Sequence, residues 1–67
     1  MNEFIVTFGY GQPLAGCFTR IEATNAHEAR GLIFKEYGNK WAFMYNSEEE
    51  AGVKQWGLKE VKFGTPN

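Results

Sequence analysis

The sequence predicts an α+β fold: a single small domain with the element order ββαβαβ. Four segments alternate apolar and polar residues with the period of strands, and a stripe with the period of a helix lies between the second and third. Glycine-rich or helix-capping residues separate the segments. We therefore expect a four-stranded mixed sheet, with one main helix packed on one face and a second short helix.

The first two strands are predicted to form a β-hairpin. Phe4, Val6 and Phe8 share one face of the first strand, and residues 17–22 alternate again. The connection, residues 9–16, contains three glycines and one proline, which is typical of a loop with unusual backbone angles. A hairpin with a long loop is the simplest arrangement of these segments.

The main helix is predicted to begin after Asn25 and to end at Gly38. Asn25 and Glu28 have the spacing of a capping box. Gly38 is suited to the left-handed position that ends a helix. The residues expected to face the sheet are Ala26, Ala29, Ile33 and Tyr37, with Leu32 widening the stripe.

A third strand is predicted over residues 41–46, with Trp41, Phe43 and Tyr45 together on its bulky face. Burial statistics place these three aromatics in the core under the main helix. The alternative is that one or two of them line a pocket or an oligomer interface.

The last third of the chain is predicted to hold a short helix and an edge strand. Ser47 and Glu50 form a second capping box, and the helix ends near Trp56, which is expected to anchor it. Residues 58–63 alternate with mixed charge, as edge strands do. The ordered core of the single domain is thus expected to span residues 3–63, and residues 64–67 are expected to fray.

Composition argues against several classes of function. A net charge of -1 does not favour binding to long nucleic acids. The chain has one cysteine, Cys17, and one histidine, His27, so neither a disulfide nor a zinc site is expected. Cys17 is expected to be packed and His27 solvated, and we therefore predict no enzyme, cofactor or metal. The chain shows no leader and no apolar run of membrane-spanning length, so a cytoplasmic protein without membrane contact is expected.

The chain contains more aromatic side chains than so small a core can hide. It has eleven of them in 67 residues, and a chain of this length buries only about 60% of its unfolded surface. Some aromatics should therefore lie at a ligand site or at a subunit interface. A homo-oligomer, either a dimer or a tetramer, is expected because the core alone gives marginal stability.

The hairpin loop contains the strongest candidate site. Gly9 and Gly11 follow a strand, where successive backbone N–H groups can point at a phosphate, although the third glycine and the helix of a dinucleotide fingerprint are absent. An ordinary hairpin loop is the competing interpretation. Tyr10 between the two glycines suits a partner contact or stacking on a base.

The remaining candidates would complete a nucleotide site. Tyr10 or Trp41 would stack on a base, Gln12 would read a base edge, and three cations would neutralise phosphate. The full set of candidate ligand-binding residues is Gly9, Tyr10, Gly11, Gln12, Arg20, Arg30, Lys40 and Trp41.

Four segments resemble a family of small bacteriophage proteins, over roughly residues 4–50. They are residues 7–12 (TFGYGQ), 27–30 (HEAR), 37–45 (YGNKWAFMY) and 47–49 (SEE). The resemblance implies host takeover or evasion of host defence. The mechanism closest in kind is that of the anti-CBASS sponges, compact oligomers that sequester cyclic nucleotide signals without cleaving them.

Two functions follow from this resemblance. The first is a phage immune-evasion protein that sequesters a cyclic di- or trinucleotide in the host cytoplasm. The alternative is an anti-CRISPR-like inhibitor that binds a host defence or takeover protein through the acidic second helix or the edge strand.

Overall fold

A four-stranded mixed sheet forms the centre of the molecule, and the computed structural model describes residues 1–67. The predicted α+β class is confirmed, with the observed element order ββαβααβ. None of the helices has the length and hydrophobicity to cross a membrane. The elements are β1 (Asn2–Thr7), β2 (Cys17–Ala23), α1 (Ala26–Tyr37), β3 (Phe43–Tyr45), α2 (Glu48–Ala51), α3 (Val53–Trp56) and β4 (Lys59–Val61).

The strand order in the sheet is β3-β1-β2-β4. Strands β1 and β2 form the predicted antiparallel hairpin, with the register running from Asn2 opposite Ala23 to Thr7 opposite Phe18. Strand β3 is antiparallel to β1, whereas β4 is parallel to β2. The two short outer strands are therefore the edges of the sheet, as predicted for β4.

Two apolar clusters lie on opposite faces of the sheet. The larger one packs under α1 and includes Phe4 and Val6 of β1 and Phe8, the residue after this strand. The smaller one joins Ile5 and Phe18 to Ala51 of α2. The predicted alternation of β1 is confirmed, since neighbouring residues of this strand belong to different clusters.

The predicted ends of α1 are confirmed. The Asn25 side chain accepts the Glu28 N–H at 2.8 Å, and Gly38 ends the helix with φ of +62°. The Glu28 carboxylate accepts the backbone N–H and the hydroxyl of Thr24, and these hydrogen bonds lower the pKa of Glu28.

The face of α1 that packs on the sheet is narrower than predicted. Ala29, Ile33 and Tyr37 are buried, but Ala26 and Leu32 are exposed. Spacing of four residues keeps the three buried side chains in one row, and only that row reaches the sheet.

The prediction for the third strand is wrong in two respects. The strand contains only three residues, so Trp41 precedes it. Trp41 is half-buried against the larger cluster under α1, as predicted, and lies edge-on to Phe34 at 5.7 Å between ring centroids. Phe43 and Tyr45 lie on the sheet face away from α1, and Phe43 is 63% exposed. The reason is the register with β1: Met44 pairs with Val6 and therefore points toward α1.

The predicted second helix is divided into two short helices, α2 and α3. Ser47 caps α2 as predicted, accepting the Glu50 N–H at 3.2 Å. Gly52 then adopts a left-handed conformation with φ of +72°, which ends α2 and starts α3. Trp56, predicted to anchor the helix, is 72% exposed instead.

The last four residues, predicted to fray, are hydrogen-bonded to the body of the molecule. The Asn67 side chain accepts the Leu14 N–H at 3.1 Å and donates to the Gln12 side chain at 3.3 Å. The Tyr37 hydroxyl accepts the Gly64 N–H at 3.0 Å. These bonds attach the C-terminal segment to the hairpin loop and to α1.

The Thr19 hydroxyl is buried without a hydrogen-bond partner, opposite Val6 in the sheet. Thr19→Val should raise the free energy of unfolding by about 1 kcal/mol, because a methyl group replaces an unpaired buried hydroxyl. The reciprocal change, Val6→Thr, should lower it by about 1–3 kcal/mol. Urea denaturation measures both, and a destabilised Thr19→Val variant would contradict the expectation.

Candidate functional site

An apolar groove with a volume of about 410 Å³ lies on the sheet face away from α1. We call it the aromatic groove. The hairpin loop, β3, the two short helices and Leu58, which precedes β4, form its walls, and none of its lining residues is charged. The side chains that characterise it are Tyr10, Ala15, Phe43, Tyr45, Trp56 and Leu58.

Three aromatic side chains of this groove are open to solvent. Tyr10 is fully exposed, and Phe43 and Trp56 are exposed by 63% and 72%. The short helices α2 and α3 cover Ile5 but leave this part of the sheet face open. Clustered exposed aromatics are typical of interaction sites, whereas single exposed apolar residues are ordinary.

The Trp56 ring is held against the backbone of Gly52. A Cβ atom at Gly52 would lie 2.6 Å from Cδ1 and 2.9 Å from Nε1 of this ring. Only glycine permits both the left-handed backbone and this close approach. Gly52 therefore positions Trp56 as one wall of the groove.

The hairpin loop satisfies its own polar groups. The Gly9 N–H donates to the Gln12 side chain at 3.2 Å, and the Gln12 N–H donates to the Gly9 carbonyl at 3.3 Å. The Gly9 N–H was predicted to contact phosphate, and the Gln12 side chain was predicted to read a base edge. Both are already hydrogen-bonded within the loop. Gly9 and Tyr10 line the groove, whereas Gly11 and Gln12 do not.

Arg20, predicted to neutralise a ligand, is bound to three carboxylates of the chain itself. Its guanidinium lies 2.9 Å from Glu3, 2.9 Å from Glu48 and 3.0 Å from Glu60. Hydrogen bonds, the one to Glu60 first, raise the pKa of Arg20, and the same bond lowers the pKa of Glu60. Arg20 therefore ties α2 to β1 and β4 and is not free for an anion.

The other predicted residues lie away from the groove. Arg30 is exposed on α1, on the opposite side of the sheet. Lys40 borders a polar cavity of about 200 Å³ beside Glu36. The Trp41 ring N–H donates to the Gly38 carbonyl at 3.0 Å. The eight predicted residues thus do not come together in one site.

Sequence reasoning did not include Phe43, Tyr45 and Trp56 among the candidate site residues, although a pocket was the alternative for one or two aromatics of the third strand. The surplus of aromatics predicted that some would be exposed, but it could not say which. The strand register decided this for Phe43, and the conformation of Gly52 decided it for Trp56.

No family model, curated protein or solved structure matches the chain. No group of three or more His, Cys, Asp or Glu side chains is placed to hold a metal ion. The candidate site is therefore defined by its geometry: uncharged, aromatic, open to solvent and suited to an apolar or planar group.

Proposed function

We propose that this chain acts by binding, and that the aromatic groove captures an apolar segment of a host defence or takeover protein. The observation that supports this proposal is the concentration of Tyr10, Phe43 and Trp56, all exposed, around one uncharged groove. Aromatic anchors in an open groove are typical of the residues that dominate protein interfaces. In this proposal the protein is a phage inhibitor acting in the host cytoplasm.

Charge favours a protein segment over an anionic ligand. The groove contains no cation, and Arg20 on the same sheet face is neutralised by its three carboxylates. Glu49 and Glu50 are exposed on α2, next to the wall formed by Ala51. A phosphate here would meet negative charge, whereas an apolar residue followed by lysine or arginine would meet complementary charge.

Sequestration of a cyclic di- or trinucleotide is the second candidate. Full exposure of Tyr10 between two glycines favours it, because an unobstructed aromatic face can stack on a base. In this arrangement one base would occupy the groove beside Phe43, and the phosphates would face solvent.

Truncating an exposed groove aromatic should weaken capture of the host protein. Host proteins retained on the immobilised chain would be identified, and one would be purified for titration. Phe43→Ala should raise Kd about 30-fold, which corresponds to about 2 kcal/mol for an interface anchor. Leu32→Ala, which removes an exposed side chain from α1, should change Kd less than threefold. Equal affinities of both variants would contradict the groove as the binding site.

Thermal-shift titration separates the two candidates. A cyclic nucleotide at 100 times its Kd should stabilise the fold by about 2.7 kcal/mol. Stabilisation that Phe43→Ala abolishes would favour sequestration, and no shift with any cyclic di- or trinucleotide would leave the protein target as the proposed function.

A further inference from the structure

We infer that the aromatic groove also accepts a second copy of the chain, through the outer side of α1, so that copies associate head to tail. This inference goes beyond the proposed function, which concerns a different protein. It depends on a second aromatic patch, beside α1, and on the distribution of charge over the two faces of the sheet.

The patch consists of Phe34 and Trp41 with Arg30 and Lys35, and we call it the α1 patch. Phe34 is 51% exposed, and its ring packs edge-on against Trp41 at 5.7 Å between centroids. Arg30 lies four residues before Phe34 and therefore on the same side of the helix, one turn away. The residue after Arg30, Gly31, adds no side chain, and nothing lies within 4 Å of its missing Cβ. Phe34 thus projects from a cationic stretch of helix, and the half-buried Trp41 in the loop before β3 supports its ring.

Charges on the two faces of the sheet are complementary, although the net charge is only -1. The groove face carries six of the eight glutamates, together with Arg20, which three of them bind, and Lys54 on α3. Lys59 pairs with Cys17 and lies on the α1 face with Val61, and Lys62 follows β4. Helix α1 and the loop after it carry Arg30, Lys35 and Lys40 against two glutamates. The glutamates of the groove face are Glu3, Glu22, Glu48, Glu49, Glu50 and Glu60.

The α1 patch combines an aromatic group with cations. This combination suits an uncharged aromatic groove with exposed glutamates beside it. Both are on the same chain but on opposite faces of the sheet, so one copy cannot fill its own groove. Association of this kind is heterologous, and each added copy leaves one groove and one α1 patch free. Only 13 of 67 residues are buried in the single chain, which leaves much apolar surface for such contacts.

Two one-sided variants test this inference by sedimentation velocity. The groove variant, Phe43→Ala with Glu49→Lys, keeps its α1 patch, and the patch variant, Phe34→Ala with Arg30→Ala, keeps its groove. The wild-type chain should associate progressively with concentration and dissociate at high salt. Each variant alone should be monomeric. A one-to-one mixture should form a heterodimer and nothing larger, because only one productive interface is possible.

Three outcomes would overturn the inference: a wild-type chain that stays monomeric up to roughly 1 mM; a patch variant that still associates alone; or a mixture of folded variants that stays monomeric. Circular dichroism confirms that each variant is folded. At concentrations too low for the wild-type chain to associate, the patch variant should bind a captured host protein with unchanged Kd, so failure of self-association and failure of the proposed function are distinguishable.

Discussion

Replacement of Ile33 by alanine should lower the free energy of unfolding by about 2–4 kcal/mol. Ile33 is completely buried and belongs to the larger apolar cluster, where α1 packs on Val6 and its neighbours. The truncation leaves a cavity beneath the only long helix. Chains of this length have a total stability of roughly 3–10 kcal/mol, so the variant should lose a large part of it.

Leu32→Ala is the matched control, because Leu32 is the adjacent residue of the same helix and is 38% exposed. Its free energy of unfolding should change by less than about 1 kcal/mol, since the side chain is already partly in water. Urea denaturation followed by circular dichroism measures both variants. Equal losses would show that α1 does not pack on the sheet through the row that contains Ile33.

Gly52→Ala should displace Trp56 and remodel the aromatic groove. The new Cβ would overlap the indole ring and force it out of its position against residue 52, and the left-handed backbone would cost about 1–2 kcal/mol. We expect about tenfold weaker binding of any groove ligand, because one aromatic wall is lost. In a Trp41→Phe background, Trp56 is the only tryptophan, and its emission and iodide quenching report the displacement.

Gly57→Ala separates the steric effect from backbone strain. Gly57 has a φ of +62°, but nothing lies within 4 Å of its missing Cβ. This variant should lose a similar amount of stability through strain while Trp56 emission and groove binding stay as in the parent chain. If Gly57→Ala and Gly52→Ala weakened binding equally, the contact between Gly52 and Trp56 would not be the cause.

Much of the fold was predictable because it depends on neighbours in sequence. The cap at Asn25, the stop at Gly38 and the alternation of Phe4 and Val6 involve residues only a few positions apart. Hydrogen bonds and side-chain periodicity act over that distance, so local patterns identify them.

The candidate site was less predictable, and Arg20 shows why. Its three carboxylates come from β1, α2 and β4, which are far apart in sequence, so a residue that looks available for a ligand is already paired. Tyr10 was identified from sequence because its exposure follows from the two glycines beside it.

By itself, the sequence determined the α+β class, the hairpin, the bounds of α1 and a surplus of aromatics. Only the tertiary structure decided which of the aromatic side chains are exposed. Pairing of Phe43 with Thr7, instead of a register shifted by one residue, sends Phe43 and Tyr45 away from α1. A shift of one residue reverses every side chain of a strand, and local sequence does not specify the register of a three-residue edge strand.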